Sequence, residues 1–229
     1  MPLAGTAFLA LWNDIRRARE PEYDQWHTLE HVPERVAVDG FLGARRYVNR
    51  AREQHRYFTL YDVAALAVFD SAAYHDLLDR PTPWSAAMRP DFENFVRAVC
   101  AVEASAGTGI GAAIAALCVE SVDDDTLRSA LDAAATLPRI NAVHLGARRD
   151  SGPGPGVGAA RNDATPRAFN RIALIEALDH AAADDALVRV RHALDLRAMP
   201  RDFGCDVYDL AFVFPGHDAG ERDAHRRLA

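Results

Sequence analysis

Leu42-Gly43-Ala44-Arg45-Arg46 recurs as Leu145-Gly146-Ala147-Arg148-Arg149, 103 residues further along the chain. Self-similarity of this kind points to a duplicated unit, and the flanking segments extend it. Before the match, Ala7-Phe8-Leu9-Ala10-Leu11 answers Ala113-Ile114-Ala115-Ala116-Leu117; after it, Arg56-Tyr57-Phe58-Thr59-Leu60 answers Arg171-Ile172-Ala173-Leu174-Ile175. The second copy has gained 12 residues between these last segments, where Ser151-Gly152-Pro153-Gly154-Pro155-Gly156-Val157-Gly158 reads as a mobile surface loop. Both copies close on apolar runs, Phe95 to Val102 and Val207 to Phe214, that read as buried strands.

Each copy is predicted to run strand, helix, strand, strand, helix, strand. The first places these near 5–12, 21–38, 41–49, 55–63, 71–79 and 95–103, the second near 110–120, 124–136, 140–149, 169–178, 181–197 and 206–214. That order is the ferredoxin-like βαββαβ unit, an antiparallel sheet with both helices on one face. The bare apolar face must be buried, and two tandem units packed sheet to sheet bury both. The expected architecture is therefore an intramolecular α+β barrel. It divides into a first unit at 1–105 carrying a site, a second, degenerate unit at 106–216, and a solvated tail at 217–229 containing His217 and His225. The boundary is set near Ser105-Ala106-Gly107-Thr108-Gly109.

Composition narrows the function. A formal charge of −7 with no basic stripe argues against a nucleic-acid partner. No apolar run reaches the roughly 18 residues of a membrane span, and Met1 to Thr6 lacks a signal-peptide start, so a cytoplasmic location is expected. Cys100, Cys118 and Cys205 are odd in number, scattered and set in apolar runs, and read as reduced core residues. All 26 basic residues are arginine. The absence of lysine removes Schiff-base chemistry, a lysine base and a phosphate-loop lysine. Gly107-Thr108-Gly109-Ile110-Gly111 precedes a strand rather than opening a helix, so it fails as a dinucleotide loop.

Chemistry concentrates in Trp26-His27-Thr28-Leu29-Glu30-His31-Val32-Pro33-Glu34-Arg35. The helix should begin at Pro21, a position that tolerates proline. At 100° per residue, Trp26, Leu29 and Pro33 form its packed face, with Tyr23, His27 and Glu30 on the edge and His31 further round. Pro33 should kink the helix and turn His31 toward a pocket. His31, with a pKa near neutrality, is then the expected proton-transfer residue, its tautomer set by Glu30 or His27. A small organic molecule, aromatic or carbonyl-bearing, is expected between this helix and its sheet, walled by Trp26, Tyr57, Tyr61 and Trp84. Trp84 lies in a proline-punctuated segment from Arg80 to Pro90 that reads as a lid. Strand alternation turns one arginine of Arg45-Arg46 and of Arg148-Arg149 toward the helices and the other to the opposite side, and both pairs are expected at strand ends in solvent, with Arg46 a lesser option for holding a substrate carboxylate. No cofactor and no metal are expected.

The stretch from Trp12 to Tyr61 resembles the EthD-like branch of the dimeric α+β barrel proteins. It carries, at His31 and Pro33, the first-helix His-x-Pro that recurs in that superfamily, followed by the Gly-Phe turn at Gly40 and Phe41. The resemblance covers about the first 100 residues. It implies a sheet-to-sheet barrel and a small-molecule pocket. The activities it implies are cyclase, isomerase, dehydratase or cofactor-free oxygenase, with non-catalytic ligand binding the other outcome. The first helix of the second copy, Asp123 to Thr136, lacks Trp, His and Pro, so that half reads as scaffold, and a homodimer is compatible but not needed. His27-Thr28-Leu29-Glu30-His31 also matches the H-x-x-E-H pattern of inverted zincins. That competing reading needs a third ligand such as Glu93 or Glu103, on a helix that Pro33 interrupts.

Overall fold

In a computed structural model describing residues 3–149 and 168–216, the strand and helix patterns resolve into two βαββαβ units. The first runs β1 (Ala7–Ile15), α1 (Glu20–Trp26), a π turn (His27–His31), α2 (Val32–Val36), β2 (Phe41–Val48), β3 (Tyr57–Val63), α3 (Ala72–Asp79), α4 (Pro83–Met88) and β4 (Phe92–Gly107). The second runs β5 (Ala113–Val119), α5 (Asp124–Ala135), β6 (Ile140–Arg149), β7 (Arg171–Ala177), α6 (His180–Ala193) and β8 (Cys205–Pro215). The expected loop at 151–158 and the tail with His217 and His225 lie outside the described residues. Among the described residues no helix is long and apolar enough to cross a membrane.

The strands form one closed antiparallel barrel in the order β1-β3-β2-β8-β5-β7-β6-β4. The two sheets do more than face each other: β2 pairs with β8 and β4 with β6, so neither has a free edge. This closure explains why β4 outruns the expected 95–103. Its residues Phe92 to Ala101 pair with β1, and Val99 to Gly107 pair with β6. β8 is shared in the same way between β5 and β2.

Alternation sorts the side chains. Even residues of β1 and β3 (Phe8, Trp12, Phe58, Leu60) turn into the barrel with Leu174 and Tyr208, Trp12 and Phe58 stacking at 4.8 Å. Odd residues face the helices. Over the second sheet that layer is filled by Leu127, Leu131, Leu187, Val190 and their neighbours.

Arg45 and Arg46 correct the sequence expectation, being 2% and 6% exposed rather than at solvated strand ends. Arg45 points into the barrel, where its guanidinium donates to Asp62 and, across the two units, to Glu176, both at 2.6 Å. Arg148 and Arg149 are exposed, as expected.

Part of the repeat has a packing cause. A Cβ on Gly146 would meet the Phe8 ring at 2.3 Å and the Cβ of Cys100 at 3.1 Å. Gly146→Ala is expected to destabilise by about 1–3 kcal/mol through overpacking, read as a lower urea midpoint at unchanged slope.

Candidate functional site

The helix that carries the motif starts as expected, with Pro21 in its first turn and Glu20 and Glu22 beside it. It then changes pitch. Pro33 has no N–H to bond the Leu29 carbonyl, and its ring would crowd that oxygen. The chain widens into a π turn, in which the Val32 amide reaches back to the His27 carbonyl. The extra residue rotates the rest of the helix. The buried face becomes Tyr23, Trp26, His27, Val32 and Val36, and Leu29, expected on that face, is 69% exposed. His27, expected at the edge, is 3% exposed, and His31 swings beneath the Trp26 indole, ring centroids 4.3 Å apart.

His27, His31 and Arg35 thereby form one stripe along a partly open cavity, with about 70 Å³ of free interior space behind a mouth to solvent. The sheet supplies Leu9, Leu11, Asn13, Thr59, Phe95 and Arg97; α1 and α3 supply Trp26, Tyr23 and Tyr74; the segment around α4 supplies Pro81, Ser85 and Arg89. Asn13 and the Tyr23 hydroxyl hydrogen-bond each other, 3.2 Å from Nδ2 to the phenol oxygen. His27 Nε2 lies 3.4 Å from the Thr59 hydroxyl. The 5.3 Å between the two imidazole centroids brings them side by side.

Glu30 does not set the His31 tautomer. Its carboxylate accepts from the Thr82 hydroxyl at 2.5 Å and the Ser85 hydroxyl at 3.2 Å. Ser85 in turn accepts from the Trp26 indole at 3.2 Å. Glu30 thus ties the π turn to the N-terminus of α4, and the buried Nδ1 atoms of both histidines have no hydrogen-bond partner.

The expected walls need correction too. Trp26 lines the cavity; Tyr57, Tyr61 and Trp84 do not. Tyr57 packs on Tyr23 at 4.7 Å and Tyr61 on Phe41 at 5.7 Å, while Thr59, between them on the same face, reaches the space. Trp84 is half-buried against the cluster of Tyr23, Trp26 and Met88 and donates to Glu22 at 3.1 Å. Arg46 lies over the Tyr23 ring, 5.9 Å from its centroid, with Asp24 3.4 Å away, and so braces α1 rather than facing the cavity.

Sequence reasoning missed Glu34, Arg35, Arg89, Arg97 and Asn13. Arg35 is legible as His31 plus one turn, once the π turn is allowed for. Asn13 and Arg97 break apolar parity on the outward faces of β1 and β4.

Electrostatics also depart from expectation. Burial, with Arg35, His27 and Arg89 nearby, holds His31 well below the ordinary histidine range; burial, Arg46 and Arg35 do the same to His27. Both rings are neutral at pH 7, so His31 is a proton acceptor and not a reservoir of protons. Burial raises the Glu34 carboxyl against the lowering effect of Arg35.

The third ligand of an H-x-x-E-H metal site is not found where expected. Glu103 accepts from Arg171 at 3.0 Å, and Glu93 lies opposite Asp14 on β1. Among the described residues no three His, Cys, Asp or Glu side chains converge to hold a metal.

No family model matches the sequence, and no curated protein matches it. Solved structures do. An anthrone oxidase-like protein is 10% identical over 93% of both chains, with a TM-score of 0.57. A candidate chlorite dismutase is 14% identical, covering 96% of this chain and 98% of its own, with a TM-score of 0.54. A candidate monooxygenase from Fusobacterium nucleatum is 13% identical, covering 92% and 95%, with a TM-score of 0.53. At such identities the likeness is one of fold. The chain shares with them the fold of an α+β barrel, here closed by two ferredoxin-like halves of one polypeptide.

Proposed function

We propose that this chain is an EthD-like barrel enzyme that uses neutral His31 as a general base on a small aromatic compound bearing a carbonyl or phenol, without a cofactor. The observation that carries the reading is His31 itself. It is a neutral imidazole whose Nδ1 lacks a partner, packed against Trp26 at the wall of an aromatic cavity. The His-x-Pro and Gly-Phe positions support the branch, and the names of the oxidase-like and monooxygenase-like neighbours fit an oxygenase among its chemistries. Isomerisation, dehydration, cyclisation and cofactor-free oxygenation share a first step, removal of a proton from carbon beside a carbonyl or from a phenol. His31 would take that proton, leaving an enolate or phenolate and an imidazolium. Return of the proton to another atom gives the isomer; reaction of the carbanion with dioxygen, which accepts its electron pair, forms a C–O bond and a peroxide that takes the imidazolium proton to become a hydroperoxide. Glu30 and His27 act as positioning residues, one through α4 and the other through Thr59.

The test targets the shared step. Deuterium exchange at the acidic carbons of anthrone and 2-tetralone is monitored by NMR for wild type and His31→Asn. Wild type is expected to accelerate exchange, and the variant to lose about 10²–10⁴-fold of that acceleration. The rate should rise with pH through the depressed His31 pKa and be flat above about 6.5, the ordinary histidine value. Binding of these compounds with no His31-dependent exchange would replace the enzyme by a simple ligand-binding protein.

A further inference from the structure

The cavity holds more cationic than anionic groups at its closed wall. Arg35 lies one turn beyond His31, and its Nη1 is buried with no hydrogen-bond partner; its guanidinium enters no ion pair among the described residues. Arg89 approaches from beyond α4, spends one N–H on the Leu78 carbonyl at 2.8 Å, and is pushed down by burial and by Arg35. Two guanidiniums that repel each other in a half-buried wall are a costly arrangement unless an anion joins them. The carboxylates nearby are Glu34, which feels both guanidiniums and whose carboxyl burial raises, and Asp79 near Arg89; among the described residues neither closes an ion pair with Arg35 or Arg89. Across the space stand Trp26, Phe92 and Phe95, flat faces suited to a ring.

Resting on the reading of this cavity as a small-molecule site, we propose that its ligand is an aromatic carboxylate, the anionic head held by Arg35 with Arg89 and the ring lying against Trp26 and the β4 phenylalanines. A planar guanidinium fork matches a carboxylate, and the buried Nη1 of Arg35 has no hydrogen-bond partner among the described residues. The anion would also screen the positive charge that makes an imidazolium at His31 unfavourable, so the ligand would bring part of the stabilisation its own deprotonation needs.

Calorimetric titration with 2-naphthoate and with 2-naphthamide, which share a ring and differ in charge, tests this. The naphthoate is expected to bind at least tenfold more tightly. Arg35→Gln should weaken naphthoate at least tenfold, the loss of one charge-assisted hydrogen bond, and leave naphthamide within about twofold. Arg35→Lys should recover part of the loss, and matching melting curves would show that both variants are folded. Equal affinity for acid and amide, or an unchanged naphthoate affinity in folded Arg35→Gln, overturns the anion site and leaves the proposed base chemistry standing. Charge-dependent binding without His31-dependent exchange does the reverse. Failure of both compounds to bind also overturns the anion site, while the base chemistry stands or falls on the exchange experiment.

Discussion

Arg45→Met is expected to lower the unfolding free energy by about 3–5 kcal/mol, a penalty typical of a broken buried pair. The pair is unusually enclosed: Arg45 is 2% and Glu176 0% exposed, and they come from different halves of the chain. Burial pushes the Glu176 carboxyl up, but a hydrogen bond from His144, the charge of Arg45 and the Gly111 amide hold it below its ordinary value. With His144 Nε2–H donating to Glu176 at 3.2 Å, its Nδ1 accepts from the Ser105 hydroxyl at 2.9 Å. The variant leaves an ionised carboxylate in the barrel with its guanidinium gone. Arg45→Met combined with Glu176→Leu should recover part of the loss, because matched apolar replacement of a buried pair is close to neutral, while Asp62 still lacks the guanidinium it shared with Glu176. Urea denaturation of the two variants measures both numbers; a loss below about 1 kcal/mol in the single variant, the range of an exposed pair, would show that the pair does not lock the halves.

The second large effect is acid sensitivity. His27 sits against Thr59 with its folded-state pKa well below 6.5, held there by burial, Arg46 and Arg35. In the unfolded chain the ring titrates near 6.5. Between the two values the unfolded state binds a proton that the folded state refuses. Stability is therefore complete above about pH 6.5 and falls as pH drops, by about 1.4 kcal/mol per pH unit for this one group, until the folded pKa is reached. Thermal melts from about pH 7.5 to 5, spanning the ordinary histidine value, should show that slope. His27→Gln, an uncharged replacement with a donor and acceptor for Thr59, should lower the measured slope by that amount and leave the contribution of the similarly depressed His31. A slope unchanged in His27→Gln would assign the acid sensitivity elsewhere, with His31 the next group to test.

How much of the molecule is legible in its chain depends on how local the cause is. The βαββαβ order, and boundaries such as β6 at 140–149, arise from alternation and from Gly and Pro punctuation, which act over a few residues. The repeat at Leu42 and Leu145 announces two units, and the aromatic and histidine run announces which unit holds the cavity. Other features need the folded molecule. Pro33 reads correctly as a disruption, but a fixed 100° per residue cannot show that the helix absorbs it as a π turn, reversing the places of Leu29 and His27. Arg45 looks like a solvated strand end because its partner Glu176 lies 131 residues away and is brought to it by barrel closure. Tyr57 and Tyr61 are placed on the right face by alternation, yet the space opens at Thr59 because their rings are taken by Tyr23 and Phe41. Local propensity and pattern therefore determined the elements and their faces. Long-range closure, and the competition of side chains for the same volume, decided which of those faces enclose the cavity and leave Arg35 in its wall with a buried N–H unpartnered.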